Sequence, residues 1–289
     1  MLSEDNMKQP EIVLLGGPNS GKTHYAGQLY GRLKRRPGQL RLQENAGTPE
    51  DLSALEEVFA SLEEGRAANH TSENTWAEIC LSVVNDQGVT FELRWPDYGG
   101  EQIRAVYKNR AVTDAWGNRL LSATAWMLLI RLDAEISYPD ALEQLAKTEK
   151  TPPENAATRE SAWDANAYWI ELLQILLHAA GRGTVNRLQQ PKLALMLSCY
   201  DKLKTNGKNP AAVLAEKLPL LATFIRNVWL PEAVSVWGLS SLGKQLDADS
   251  KDAAFIDDGP EYHGWVIAPD GCEQDTDLSK PLSWLLQTL

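Results

Sequence analysis

The sequence predicts a three-layer α/β/α chain, with helices on both faces of a mostly parallel sheet that carries one antiparallel edge strand. Three observations predict it. Predominantly apolar short runs recur: Ile12-Val13-Leu14-Leu15, ATAWMLLIRL at 123–132 and KLALML at 192–197. Such runs suit parallel strands, which are buried on both faces. Helix-patterned segments stand between them, as crossover connections require. A glycine-rich turn joins the first apolar run to the first helical pattern.

That turn, Gly16-Gly17-Pro18-Asn19-Ser20-Gly21-Lys22-Thr23, reads GxxxxGK[ST] with every position in register. Glycines let the backbone turn tightly, so that successive N–H groups point inward at phosphate oxygens. A lysine at position 22 reaches the β- and γ-phosphates, and the Thr23 hydroxyl ligates Mg²⁺. The following helix aims the positive end of its dipole at the same anion. Gly16, Asn19, Ser20, Gly21, Lys22 and Thr23 are therefore candidate phosphate-binding residues. The context agrees: a buried-type strand precedes the turn, and a helical pattern over about 24–33 follows it, with Tyr25, Leu29, Tyr30 and Leu33 on one face.

Pro37 and Gly38 stop that helix. The basic run Arg32-Leu33-Lys34-Arg35-Arg36 reads as its solvated C-terminal end, where cations are favoured. Residues 39–75 are long and polar, with a helix at 49–62 (PEDLSALEEVFASL) that places Leu52, Leu55, Val58, Phe59 and Leu62 on one face. Two alternating strands follow, WAEICLSVV at 76–84 and VTFELRW at 89–95. Asn85-Asp86-Gln87-Gly88 makes the hairpin turn between them. The second strand runs into Pro96-Asp97-Tyr98-Gly99-Gly100-Glu101-Gln102. A carboxylate at a strand end downstream of such a loop is placed to hold Mg²⁺, usually through water. The glycine three residues on, Gly100, presents its N–H to a γ-phosphate.

GPNSGKT, a hairpin and then DYGGE resemble the Ras-like GTPases of the TRAFAC class. GGPNSGKTHYAGQLY followed by WPDYGGEQ is similar to the bacterial double-GTPase group of conflict and defence gene clusters. The resemblance covers most of the chain in outline and rests on two or three short motifs. It implies a P-loop NTPase fold of the Ras-like kind, binding of GTP and GDP with Mg²⁺, and a switch threonine that closes over the metal. Thr75, 22 residues before Asp97, has close to the family spacing; Thr71 and Thr48 are the alternatives. Thr23, Thr75 and Asp97 would then be the metal ligands. Ras-like proteins orient water with a glutamine directly after DxxG; here Glu101 stands there and Gln102 follows. Glu101, Gln102 and Thr75 are the candidate catalytic residues, and slow or partner-stimulated turnover is the expectation.

Further along, 103–116 (IRAVYKNRAVTDAW) reads as one helix. Residues 133–161 read as an insertion with a short helix at 140–148. The stretch 163–180 reads as a long apolar-striped helix closed by Gly181. The strand at 192–197 ends in Ser198-Cys199-Tyr200-Asp201, at the place where GTPases carry [NT]KxD. The resemblance assigns guanine recognition to Asp201, with Ser198 standing for Asn/Thr and Cys199 replacing the lysine whose stem lies along the ring. A carboxylate there favours guanine over adenine, because adenine offers no matching pair of donors. A helix at 211–228, interrupted by Pro219, leads to a strand at 232–237. It ends in Gly238-Leu239-Ser240-Ser241, where the family has a loop under the base; Ser240 is the candidate. Residues 244–277 read as acidic and irregular except for GWVI at 264–267. A helix closes the chain at 278–289, with Ser279 as its N-cap and Pro281 in its first turn.

The 289 residues read as one domain with insertions at about 39–74, 133–161 and 244–277. The polar, acidic first ten residues are no signal peptide. The three cysteines, Cys80, Cys199 and Cys272, are scattered, which argues against a disulfide frame or a zinc site and for the cytoplasm. No apolar run is long enough to span a membrane. The net charge of −11 disfavours nonspecific nucleic-acid binding. Of the ten tryptophans, Trp116, Trp229 and Trp265 are candidates for a partner surface. The expected partner is a second GTPase or an effector. Arg66 and Arg104 stand near the right stretches for an arginine finger, and neither is assigned. A nucleotide-dependent adaptor with little turnover, and an ATPase or small-molecule kinase of the P-loop class, are the rival readings.

Overall fold

The computed structural model describes residues 11–43, 52–68, 77–97, 100–137, 163–183 and 185–287. Among these the strands are β1 (Ile12–Gly16), β2 (Leu40–Leu42), β3 (Ala77–Asn85), β4 (Thr90–Asp97), β5 (Ala125–Ile130), β6 (Lys192–Ser198), β7 (Val234–Ser240), β8 (Trp265–Ile267) and β9 (Gln274–Asp275). The helices are α1 (Lys22–Arg35), α2 (Ser53–Glu63), α3 (Gly100–Asn109), α4 (Asp114–Ser122), α5 (Ala165–Ala179), α6 (Pro210–Lys217), α7 (Pro219–Val228), α8 (Ala253–Asp258) and α9 (Lys280–Leu286). Thr75, its alternatives Thr71 and Thr48, and the helix expected at 140–148 lie outside the described residues.

Six strands form one sheet in the order β1-β5-β6-β7-β8-β9. The first four are mutually parallel, and β8 and β9 supply the antiparallel edge. Every residue of β1, β5 and β6 is buried, because both faces are covered. The pleat divides them by parity. Val13, Leu15, Leu128, Ile130, Leu195 and Leu197 share one core with α3 to α7. Ile12, Leu14, Met127, Leu129, Ala194 and Met196 share the other with α1, α2 and α9. This is the three-layer α/β/α arrangement of a P-loop NTPase, mostly parallel with an antiparallel edge.

The hairpin of β3 and β4 joins β2 in a separate antiparallel sheet, with β4 lying alongside β1. Its turn is fixed by Asn85, whose Oδ1 accepts from the N–H groups of Gln87 and Val89 at 3.0 and 2.9 Å, and by Gly88 at φ 78°. The long polar stretch therefore holds a strand, β2, that periodicity does not reveal: three residues are too few to show alternation. α2 buries Leu55, Phe59 and Leu62 as its pattern predicts. It approaches α1 closely through Gly27 and Gly31, where a Cβ would run into Val58 and Phe59 respectively. Glycine inside a helix costs roughly 0.5–1 kcal/mol relative to alanine; the approach of the two helices requires it here.

α1 starts at Lys22 rather than about 24, because Gly21 takes the left-handed conformation, φ 84°, at its N-cap. Its basic last turn is not wholly solvated. Arg32 is buried and donates to the carbonyls of His263 and Gly264 at 2.9 and 3.1 Å, and Gln28 donates to those of Pro260 and His263. Arg35 pairs with Glu63 at 2.6 Å, and Arg36 lies over the Tyr262 ring.

The single helix expected at 103–116 is two. Arg110, at φ 50°, ends α3, and Thr113 caps α4 by accepting from the Trp116 N–H. Residues 244–277 are less irregular than their composition predicts: α8 caps a small cluster of Leu62, Leu242 and Phe255, and β8 and β9 extend the main sheet. Ser279 sits at the N-cap of α9 without capping it; its hydroxyl donates to Asp277 Oδ1 at 2.6 Å and accepts from the Leu40 N–H. The far end of α9 is held by Lys192, whose ammonium donates to the carbonyls of Trp284 and Gln287 at 2.7 and 3.3 Å. Trp116 and Trp229 are core residues, 3% and 0% exposed, so neither serves a partner surface.

Candidate functional site

β1 ends inside the core at Gly16, and the chain must turn at once to enter α1. A Cβ on Gly16 would stand 2.6 Å from Ser20 Oγ and 3.1 Å from the Leu129 carbonyl oxygen, so only glycine fits. Asn19 at φ 56° and Gly21 at φ 84° complete the turn in the left-handed region, while Ser20 is buried beneath it. Such a run of αR and αL residues forms a backbone nest suited to anions. Lys22 does not face solvent, as a side chain awaiting a phosphate would. Its ammonium folds back and donates to the Gly16 and Gly17 carbonyls at 2.7 and 3.0 Å, with Ser20 Oγ at 3.5 Å. Thr23 is the second residue of α1, beside the lysine.

The other predicted residues gather at the same edge. Gly16 pairs with Leu129, Ile130 with Leu197, and Ser198 with Leu239. The glycine loop, the Ser198–Asp201 segment and Ser240 thus all emerge at the carboxyl ends of parallel strands, where open α/β sheets bind ligands. Asp201 and Ser240, 39 positions apart, meet: Ser240 Oγ donates to Asp201 Oδ1 at 2.6 Å and accepts from the Gly243 N–H at 3.1 Å. Cys199 holds a left-handed φ of 51°, and burial pushes its thiol up, so it carries no charge at neutral pH. Tyr200 is buried against Gly238 and edge-on to Trp265. Ser198 is 1% exposed, and its hydroxyl has no hydrogen-bond partner among the described residues.

Asp97 ends β4, Gly100 opens α3, and Glu101 falls in the first turn of that helix. Gln102 turns to the protein interior: its Oε1 accepts from the Trp116 indole N–H at 3.3 Å. Beside the loop a cleft of about 510 Å³ is lined by Gly17, Pro18, Ser20, Arg104, Lys108 and Arg131, among others. Its far wall is aromatic, with Trp163 stacked on Tyr168 at 5.7 Å. Glu135 lies on this wall, where burial raises its carboxyl above the usual range against the pull of Trp169 and Arg104. Arg131 was not singled out by sequence reasoning, which read it as part of an apolar strand. A charged residue closing such a strand, at its carboxyl end, is the signal that marks it.

A family model described as Double-GTPase 1 matches residues 13–285. The chain belongs to the Double-GTPase 1 family. The match takes in the glycine loop, the Asp97 segment and the Asp201–Ser240 pair together. A comparison with curated proteins finds no match. Among solved structures, the chain is similar to a chain of the signal recognition particle receptor SRb-GTP/SRX complex from Chaetomium thermophilum, at 15% identity and a TM-score of 0.42, covering 83% of this chain and 94% of that one. It is also similar to Methanosarcina barkeri Roco2 RocCORdC bound to GDP, at 13% identity and a TM-score of 0.33, over 81% and 44% of the two chains. A third likeness is to a probable GTP-binding protein engB, at 12% identity and a TM-score of 0.30, over 80% and 88%. Family membership rests on the sequence match. No helix among the described residues is long and apolar enough to cross a membrane.

Proposed function

We propose that this chain is a guanine-nucleotide switch that binds GTP with Mg²⁺ and hydrolyses it to GDP slowly, or with help from a partner protein. The observation that carries the reading is the Ser240–Asp201 hydrogen bond at 2.6 Å. It fixes the orientation of the carboxylate, whose two oxygens keep lone pairs to accept from the adjacent N–H and NH₂ donors on the guanine edge. The glycine loop at the end of β1 then lies across the same sheet edge, one strand beyond β5.

On this reading Lys22 exchanges its two loop carbonyls for β- and γ-phosphate oxygens, and the loop N–H groups cradle the anion. Thr23 and Asp97, with Thr75 in the triphosphate state, would hold Mg²⁺. A hydroxyl and a carboxylate suit that ion, which keeps several waters and takes the rest of its shell from phosphates. When bound, it neutralises charge that develops on the phosphates. Gly100 offers its N–H to the γ-phosphate, and Glu101 is the residue next to the attacking water.

A second reading, a nucleotide-dependent adaptor with little turnover, is favoured by one observation. The glutamine nearest the family's water-orienting position, Gln102, is engaged with the Trp116 indole. Both readings require nucleotide exchange to change the protein's partners; a second GTPase of the same group or an effector is the proposed kind, in the cytoplasm. Equilibrium binding of GDP, GTP, ADP and ATP with Mg²⁺ tests the common part. Single-turnover hydrolysis of bound GTP separates the two, since an adaptor leaves the γ-phosphate intact over hours.

A further inference from the structure

The residue that would lie along the purine ring in the [NT]KxD pattern is missing: Cys199 stands there, short and uncharged. The structure brings a different cation to that corner. Arg131 is the first residue after β5. Parallel pairing of Ile130 with Leu197 sets it beside Ser198, between the glycine loop on one side and the Cys199–Asp201 segment on the other. It lines the cleft that also contains Gly17, Pro18 and Ser20. Its guanidinium is held flat by a bidentate pair with Asp133, Nε to Oδ1 and Nη2 to Oδ2, both at 3.0 Å. That pairing leaves Nη1 and the faces of the plane for another partner. Asp201 is near enough for its charge to act on it. The neighbouring Ser198 hydroxyl is buried without a partner among the described residues, so this corner has polar capacity that the fold does not use.

We propose that Arg131 is the ring-contacting residue of the base site: its guanidinium plane, clamped by Asp133, lies against the purine face while Asp201 reads the edge. A guanidinium is planar, permanently charged and weakly hydrated, and it stacks plane against plane on aromatic faces, where an ammonium offers only a point charge. The proposal deepens the guanine-nucleotide reading and rests on it.

The test uses the full chain with Mg²⁺ and compares GDP, inosine diphosphate and pyrophosphate in the wild type, Arg131→Ala, Arg131→Lys, Asp133→Asn and Asp201→Asn. Stacking does not depend on the 2-amino group. Arg131→Ala is therefore expected to weaken GDP and inosine diphosphate by the same factor, about tenfold, a size typical of a desolvated cation–π contact, and to leave pyrophosphate unchanged. Arg131→Lys restores little, because it keeps the charge and loses the plane. Asp133→Asn weakens the two nucleotides together by unclamping the arginine, and it serves as the second probe should Arg131→Ala melt early by circular dichroism. Asp201→Asn instead changes the ratio of the two nucleotides. Unchanged GDP affinity in Arg131→Ala overturns the proposal, and so does an equal loss for pyrophosphate, which would make Arg131 a phosphate ligand. A wild type that binds pyrophosphate and not GDP refutes the guanine reading itself, an outcome distinct from either.

Discussion

Ser240 and Asp201 are joined by a 2.6 Å hydrogen bond across the ends of β7 and β6, and that bond sets the direction in which the Asp201 carboxylate points. Asp201→Asn keeps the shape and loses the charge. It is expected to weaken GDP binding by on the order of 2–3 kcal/mol, the worth of a charge-assisted pair. Xanthosine diphosphate should gain, since an amide N–H can donate to the 2-oxo group of xanthine. Ser240→Ala should cost less, about 1 kcal/mol, because the carboxylate stays and only its aim is lost. Competition of GDP and xanthosine diphosphate against a fluorescent GDP analogue measures all of this. Identical competition profiles in wild type and Asp201→Asn would refute the base assignment.

Lys22→Ala removes both the phosphate partner and the cover over the Gly16 and Gly17 carbonyls. Binding of a fluorescent GTP analogue should fall by more than about tenfold, as charge-assisted hydrogen bonds of about 1.5–3 kcal/mol are lost. The circular dichroism spectrum should be unchanged, since no core contact goes. Wild-type affinity in this variant would remove the loop from the site.

Gly31→Ala tests the closeness of α1 and α2. The added methyl meets the Phe59 ring. Overpacking of this kind costs about 1–3 kcal/mol, read as a lower urea midpoint at unchanged slope. A neutral or stabilising result would mean that the two helices can separate freely.

Burial raises Glu135 above an ordinary carboxylate, despite the opposing pull of Trp169 and, more weakly, of Arg104. The sign follows from linkage. A folded value above the unfolded one favours the folded state at low pH, and that advantage is lost as pH rises through the folded value. Glu135→Gln should therefore melt higher than wild type at pH 7–8 and equally at acid pH, where the wild-type carboxyl is also neutral. A variant that melts lower across the whole range would show the carboxylate to be stabilised by its surroundings.

The switch itself predicts a contrast in hydrogen exchange. Leu55, Phe59 and Leu62 anchor α2 in the core, so its amides should exchange equally in the GDP form and with a non-hydrolysable GTP analogue. Slowing in the GTP form should be confined to peptides that carry Thr75 and the Asp97–Gly100 stretch. Thr75→Ala should lose that slowing and keep GDP affinity. If α2 slows as well, the whole of 39–75 moves and the helix is no scaffold.

Local signals carried most of what was legible. The Gly16–Thr23 turn can be read because its spacing, φ requirements and flanking elements all lie within about twenty residues. Asp201 was reachable in the same way, as a carboxylate just past a buried strand. Its bond to Ser240 was not, because it depends on β6 and β7 lying side by side in register. β2 and β9 are too short to show a period, and the break between α3 and α4 falls at Arg110, with neither glycine nor proline to mark it. Trp116 and Trp229 looked available for a partner because composition does not say which way a side chain points.

The bonds from Gln28 and Arg32 to Pro260, His263 and Gly264 span more than 230 positions of the chain. The helix that carries the glycine loop is therefore made early and finished late. At about 5–20 residues per second of synthesis, α1 waits on the order of ten to fifty seconds for the carbonyls that its buried polar side chains need. Nucleotide affinity is then expected to depend on the last quarter of the chain as well as on the first, so that a lesion near Gly264 should be felt at Lys22.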